Sequence, residues 1–280
     1  MGRLFGIEPS VREVVGMLVC SCRSGRGSPV NLKKNSLTMM IVRSAWELSA
    51  RIKLLADQSV RVGLPGHCAF CMGMTPQASP WCEACFEALP WNCVACARCA
   101  EPLARPAELC GHCLRHAPSF DVARAPLRYE DASQALLQRF KFGAQPRAGI
   151  LLATLFVRSR DDGVLPEALV AVPTHPQRRR ERGFDHSVWL TRELSRQLGV
   201  PHRRAWRERD TPTQRGLTRR VRRGNVRGAF RVTPGLPAHV AIVDDVMTTG
   251  STLSALADAC RRAGAQHVEA WAMTRTPRGI

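Results

Sequence analysis

VAIVDDVMTTGSTL, residues 240–253, passes from an apolar run to an acidic pair and then to a cluster of hydroxyls around one glycine. Val240 to Val243 is short, apolar and largely β-branched, the kind of run that fills a parallel strand covered on both faces. Asp244 and Asp245 stand where such a strand ends, and strand ends are where α/β sheets place ligands. Thr248, Thr249, Ser251 and Thr252 surround Gly250, whose missing Cβ lets backbone N–H groups approach an anion closely. A helix is expected next. Leu253, Leu256, Ala257 and Cys260 keep helical spacing in STLSALADACRRAG, with Ser251 or Thr252 as N-cap and a stop at Gly264. A helix N-terminus carries about half a positive charge and unpaired N–H groups, so the loop suits a phosphate. Two carboxylates beside it suit a polyhydroxylated or metal-bound partner, such as a ribose with its Mg²⁺. The bland alternative is a capped helix after a strand, with the Asp pair merely solvated.

This run resembles the phosphoribosyl pyrophosphate (PRPP) motif of type I phosphoribosyltransferases, in which strand, acidic pair and anion loop coincide. The resemblance implies that Asp244 and Asp245 contact the ribose hydroxyls and take the catalytic positions. It also implies that Thr248, Thr249, Gly250, Ser251 and Thr252 hold the 5′-phosphate.

The chain has 280 residues, enough for one α/β domain and a smaller module. No apolar run reaches the ~18 residues that a membrane-spanning helix needs, so a soluble protein is expected. The formal net charge is +18, and it is unevenly placed. Between His175 and Arg231 there are 17 arginines against five acidic residues, a local excess of +12. Such a stretch is either a solvated basic surface or a polyanion site, and arginine grips phosphates bidentately. Only Lys33, Lys34, Lys53 and Lys141 are lysines, so part of the arginine preference reflects codon bias.

Four Cys-x-x-Cys pairs recur every 14 residues: Cys68 and Cys71, Cys82 and Cys85, Cys96 and Cys99, Cys110 and Cys113. A knuckle sets two thiolates on one side of a tight turn, and two knuckles close a tetrahedral zinc site. These eight ligands imply two structural Zn²⁺ ions, or one with the other knuckles degenerate. Disulfides are the competing reading. The start of the chain shows no secretory pattern, which favours a reducing, cytoplasmic setting and therefore metal. Cys93 breaks the period, as a spectator or a substitute ligand, and His67 and His112 lie beside knuckles without being needed as ligands. Cys20, Cys22 and Cys260 stand apart, with Cys260 expected in the core. Trp81, Phe86 and Trp91 lie between the knuckles and are expected to form a small core there; a stacking platform for bases is the weaker alternative.

Three segments follow. Residues 1–60 form an N-terminal extension without a motif, compatible with a translation start at Met39 or Met40; 61–118 form a double zinc-ribbon-like module; 119–280 form a phosphoribosyltransferase-like domain. Within the last, helices are expected over ASQALLQRFKFGAQ, GILLATLFVRSR and Val188 to Leu198. Strands are expected at Ala168 to Val172 and His267 to Met273. The fold class is α/β, a parallel sheet flanked by helices and preceded by a small zinc-binding module.

As a set, from Cys68 to the end, these elements resemble the ComF family, competence-associated proteins that also include the GntX type. The matching positions include Phe140-Lys141-Phe142-Gly143 and VPTHPQRRRERGFD, residues 172–185. They continue with Gln214, Leu217, Arg222, Asn225, Ala229 and Phe230, and with Val243 to Thr252. One position departs: where the family has Asn stands Asp185, which cannot donate a hydrogen bond to a phosphate. The resemblance implies that Arg178, Arg179, Arg180 and Arg182 neutralise a diphosphate, with Mg²⁺ bridging it to the ribose. Pyrophosphate would be displaced at the anomeric carbon through a cationic transition state, stabilised by positioning and charge. No segment marks out an acceptor base, and the resemblance leads one to expect the zinc module at the hood position. The implied role is DNA uptake in natural competence, with PRPP or a related sugar phosphate, single-stranded DNA and DNA-uptake or recombination proteins as partners. Two alternatives are an active phosphoribosyltransferase of nucleotide salvage and a PRPP-sensing regulator without turnover. No helix-turn-helix segment supports the regulator.

Overall fold

The computed structural model describes residues 66–75, 79–143, 145–160, 163–174, 184–208 and 228–278. The chain divides into two compact units, residues 1–89 and 90–280. In the first, β1 (Gly66–His67) pairs antiparallel with β2 (Met74–Thr75), and the short helix α1 (Glu83–Glu87) follows. Trp81 is buried and stacks on Phe86, with ring centroids 5.4 Å apart.

The second unit opens with the knuckles at Cys96 and Cys110 and the short helix α2 (Gly111–Arg115). It continues through β3 (Val122–Arg124), β4 (Leu127–Arg128), α3 (Asp131–Phe142), α4 (Pro146–Arg158), β5 (Ala168–Ala171), α5 (His186–Leu198) and β6 (His202–Arg203). It closes with β7 (Ala205–Arg207), β8 (Phe230–Val232), β9 (His239–Met247), α6 (Ser251–Arg262) and β10 (His267–Arg275). The main sheet runs β3-β10-β9-β5-β6 with every pairing parallel, and β7 pairs antiparallel with β8. β4 extends the edge along β10 after Pro126, which has no N–H to give to the ladder.

Strand alternation assigns the two faces of the sheet. Ala168, Val170, Val240, Ile242, Val268, Ala270 and Ala272 share one core with Leu253, Leu256, Ala257 and Cys260 of α6. The cysteines 96, 99, 110 and 113 belong to that same core. On the opposite face α4 and α5 pack on the sheet, and Phe156 meets Trp271 at 5.1 Å. The α3–α4–α5 layer closes tightly: a Cβ on Gly149 would lie 2.4 Å from the Trp189 ring and 2.6 Å from Phe140, so only glycine fits. From β5 the chain goes outward to β6 and then returns past β5 to β9. The carboxyl ends of β5 and β9 therefore flank the point where strand order reverses, the usual ligand crevice of such sheets.

Candidate functional site

Val240 to Val243 are completely buried in the middle of the sheet, as a run apolar on both faces requires. The strand does not end at Val243, however. β9 continues through the acidic pair to Met247, because β10 runs on beside it, with Ala272 opposite Asp244 and Arg275 opposite Met247. The cap also differs from expectation. Gly250 itself is the N-cap of α6, at φ +76°, a left-handed conformation that glycine adopts without strain, so neither Ser251 nor Thr252 serves. The loop hydroxyls bond each other instead, Thr249 Oγ1 and Ser251 Oγ lying 2.9 Å apart. α6 ends at Arg262, and Gly264 follows at φ +114°.

Residues from two other elements converge on the acidic pair. Lys141, at the end of α3, places Nζ 2.8 Å from Asp245 Oδ2, and both side chains are largely buried. Ser187, at the start of α5, donates its hydroxyl to Asp244 Oδ1 at 2.9 Å, and the same oxygen accepts the Asp245 N–H. Burial, and then the adjacent Asp245 charge, push the Asp244 carboxyl up to about 7. The Asp245 N–H, Lys141 and the Ser187 hydroxyl pull the other way. Lys141 is held in place through its neighbours: Phe140 is buried against Phe184, His186 and Trp189, and His186 Nε2 lies 3.1 Å from the Lys141 carbonyl.

Asp185, the position that departs from the family pattern, is used as an acceptor. Its Oδ1 caps α5 through the Val188 N–H and accepts the Thr174 hydroxyl, while Oδ2 accepts the Thr174 N–H. Thr174 and Asp185 thereby clasp the two ends of the arginine-rich loop. Arg178, Arg179, Arg180 and Arg182 lie outside the described residues, as do Gln214, Leu217, Arg222 and Asn225. Among the described residues the expected Asp244, Asp245, Thr248, Thr249, Gly250, Ser251 and Thr252 stand at the carboxyl end of β9. Lys141, Ser187, Thr174 and Arg275 join them without having been assigned a role from sequence. The available signals were a lone lysine after residue 53 and an arginine closing an apolar strand.

Arg275 is fully buried at the end of β10. Its guanidinium donates to the carbonyls of Cys99 and Met247, at 3.1 and 3.0 Å, and also to the carbonyl of Thr248 and the Glu101 carboxylate. The Arg278 N–H donates to the same carboxylate at 2.7 Å. A cavity of about 500 Å³ lies beside this network, bounded by Cys99, His112, His116, Thr249, Ser251 and Arg278.

The eight periodic cysteines gather in two sets, Cys68, Cys71, Cys82 and Cys85, and Cys96, Cys99, Cys110 and Cys113, each with its sulfurs within 4.8 Å of one another. A tetrahedral ion with Zn–S bonds of ~2.3 Å holds its sulfurs ~3.8 Å apart. Cys71 and Cys82 Sγ are 3.8 Å apart, and Cys99 and Cys110 Sγ 3.7 Å, so both sets fit structural Zn²⁺. Burial raises both thiols, but backbone N–H groups and neighbouring cysteine side chains outweigh it at one thiol of each set, bringing Cys68 down to about 6 and Cys110 down to about 7. Cys93 is exposed and outside both sets. His239, His267 and Glu269 form a third group of donors at the opposite end of the sheet, but the oxygens of Glu269 already accept from His239, Arg124 and Trp271. No helix among the described residues is long and apolar enough to cross a membrane.

The family described as "Double zinc ribbon domain" matches residues 60–114, which include all eight ligands. The "DNA utilization protein YhgH" of Salmonella typhimurium is 34% identical over 228 residues, covering 76% of this chain and 98% of the relative. "Competence protein F" of Haemophilus influenzae is 33% identical over 206 residues, covering 69% and 88%. Among solved structures, a purine phosphoribosyltransferase from Pyrococcus horikoshii matches 48% of this chain and 85% of its own, at 17% identity and a TM-score of 0.30.

Proposed function

Because the chain belongs to the ComF family, with DNA utilization protein YhgH and competence protein F among its relatives, we propose that it binds Mg²⁺-PRPP at the end of β9 and acts in DNA uptake and utilisation. The observation that carries the reading is the acidic pair, held by Lys141 and Ser187 and followed at once by an anion loop at the point of strand reversal. In this reading Asp244 and Asp245 accept hydrogen bonds from the ribose hydroxyls. The first N–H groups of α6 and the hydroxyls of Thr248, Thr249, Ser251 and Thr252 hold the 5′-phosphate. Lys141 offsets part of the charge of the acidic pair, and in this reading gives up Asp245 to the sugar. The diphosphate is assigned to Arg178, Arg179, Arg180 and Arg182, which lie in sequence between Thr174 and Asp185. Mg²⁺, held beside Asp244 and Asp245, would supply charge neutralisation for the bound anion. Asp185 itself stays an acceptor and takes no part in phosphate binding.

The test is a calorimetric titration of Mg²⁺-PRPP into zinc-loaded protein, with an Asp244→Asn, Asp245→Asn double variant beside it. Binding that vanishes in the variant is expected. Equal heats in both proteins would remove the acidic pair from the site. Release of pyrophosphate with an added base would extend the reading to a phosphoribosyltransferase, and binding without release would favour a PRPP sensor.

A second reading, single-stranded DNA binding, is favoured by the β7–β8 surface. Trp206 is exposed there, and the Arg231 guanidinium lies 5.3 Å from its ring, with Arg203 and Arg204 exposed just before it. An exposed indole among arginines suits a stacked base and its phosphate. Trp81 is less suited to that task than the alternative sequence reading supposed, being buried against Phe86. Binding of labelled oligonucleotide should weaken steeply as salt rises and weaken further in Trp206→Ala. A flat salt response would count against it.

A further inference from the structure

Pinning a carbonyl fixes more than the oxygen. A trans peptide plane points its C=O and the following N–H in opposite directions, so whatever holds the carbonyl of one residue aims the N–H of the next. Arg275 holds the carbonyls of Met247 and Thr248, and Arg278 Nη2 reaches that of Thr249 at 3.5 Å. Both arginines share the Glu101 carboxylate, Arg275 through its guanidinium and Arg278 through its backbone N–H and its Nε, the latter at 3.3 Å. Glu101 is two residues beyond Cys99, and its own carbonyl accepts the N–H of Cys96, closing the knuckle turn. Arg275 also takes the Cys99 carbonyl directly. The backbone of the anion loop is therefore held from behind by a buried frame whose far end is the turn between two metal ligands.

The geometry points to a positioning role for the second cysteine set: its metal, through Glu101, Arg275 and Arg278, sets the conformation in which Thr249 and Gly250 present their N–H groups to a phosphate monoester. The first set, Cys68, Cys71, Cys82 and Cys85, has no part in it. This deepens the PRPP reading and rests on it for the identity of the anion. Coupling between two sites is reciprocal, so a phosphate that settles in the loop must in turn be felt at the second metal.

The experiment uses the full chain with zinc replaced by ¹¹³Cd, which gives one resonance for each cysteine set; Cys110→Ser identifies the second. Mg²⁺-PRPP and, separately, ribose 5-phosphate are titrated in while calorimetry follows binding. The expected result is that the second resonance moves along the binding isotherm and the first stays still. Glu101→Gln keeps every metal ligand but weakens the charge that organises both arginines. It should retain both metals, lower phosphate-ligand affinity about tenfold and shrink the resonance shift. Binding that leaves the second resonance unmoved would overturn the inference, as would wild-type affinity in Glu101→Gln. If neither ligand binds, the PRPP reading fails on its own, and the frame is judged by metal release to a chelator. Faster release from the second set in Glu101→Gln supports it, and unchanged release overturns it.

Discussion

The two cysteine sets have the same spacing and opposite surroundings. In the first, Cys68 is buried, Cys71 is exposed, and Cys82 and Cys85 are half-buried, with the stacked Trp81 and Phe86 as local apolar support. In the second, all four cysteines are buried within the core that also contains the sheet residues and α6. Ligand geometry thus specifies a metal without specifying what depends on it. Where a module is too small to build a core, the metal substitutes for one. Where a core already exists, the metal becomes one of its parts, and losing it exposes the rest.

The largest effect should come from breaking that difference. Cys110→Ala removes a ligand from inside the core and should lower the unfolding midpoint of the sheet-bearing unit by about 10 °C or more. Cys71→Ala, with its exposed thiol, should leave that transition within about 2 °C while costing one equivalent of bound zinc. Scanning calorimetry with metal analysis separates the two. Equal shifts would mean that the burial of the second set does not matter.

Gly149→Ala tests whether residues 90–280 melt together from the opposite face of the sheet. The added Cβ meets the Trp189 and Phe140 rings, and Phe140 is already fixed by Phe184 and His186, so the overlap cannot be relieved cheaply. A loss of roughly 1–3 kcal/mol is expected, with zinc content unchanged. The single transition should shift as a whole. A split transition would show the α3–α4–α5 layer unfolding apart from the core around the second cysteines.

How far the sequence reaches depends on how local each signal is. The 14-residue cysteine period and the buried run from Val240 to Val243 are contiguous patterns, so ligands, strand and acidic pair were all legible. Lys141 and Ser187 lie 104 and 57 positions before the carboxylates they meet, and no periodicity connects them. The α6 cap was misread because hydroxyl residues are the usual N-caps, whereas here the backbone turns left-handed at Gly250. The end of β9 was placed too early because the strand is prolonged by its neighbour β10, a pairing that a local polarity pattern does not carry. The short strands β7 and β8 were missed for a different reason: three residues each give no alternation to detect.

Burial should also govern a smaller effect, at the acidic pair. Asp244 has its carboxyl pushed up to about 7 from 3.8, so between those values the folded chain holds a proton that the unfolded chain has released. Stability from this group is therefore present at low pH and lost as pH rises through about 7. Asp244→Asn cannot lose that proton. Relative to wild type it should be more stable at pH 8 than at pH 5, measured by denaturant midpoints in the absence of ligand. A difference independent of pH would show Asp244 already ionised at pH 5, held so by Lys141 and Ser187.

The smallest effect is the control for all of these. Arg196 donates to Glu193 one turn away on α5, and its side chain is 68% exposed. Arg275 pairs with Glu101 and is completely buried. Both pairs join a guanidinium to a carboxylate, and counting ion pairs would rank them equally. Water screens the first, and Gln197 already gives Glu193 a second donor at 2.7 Å that survives loss of the arginine. Arg196→Ala should therefore change stability by less than about 0.5 kcal/mol, and 1 M salt should reduce even that. Were Arg196→Ala as damaging as a change at the second cysteine set, burial could not be what separates the strong sites of this chain from the weak ones, and the contrast between the two zinc sets would need another cause.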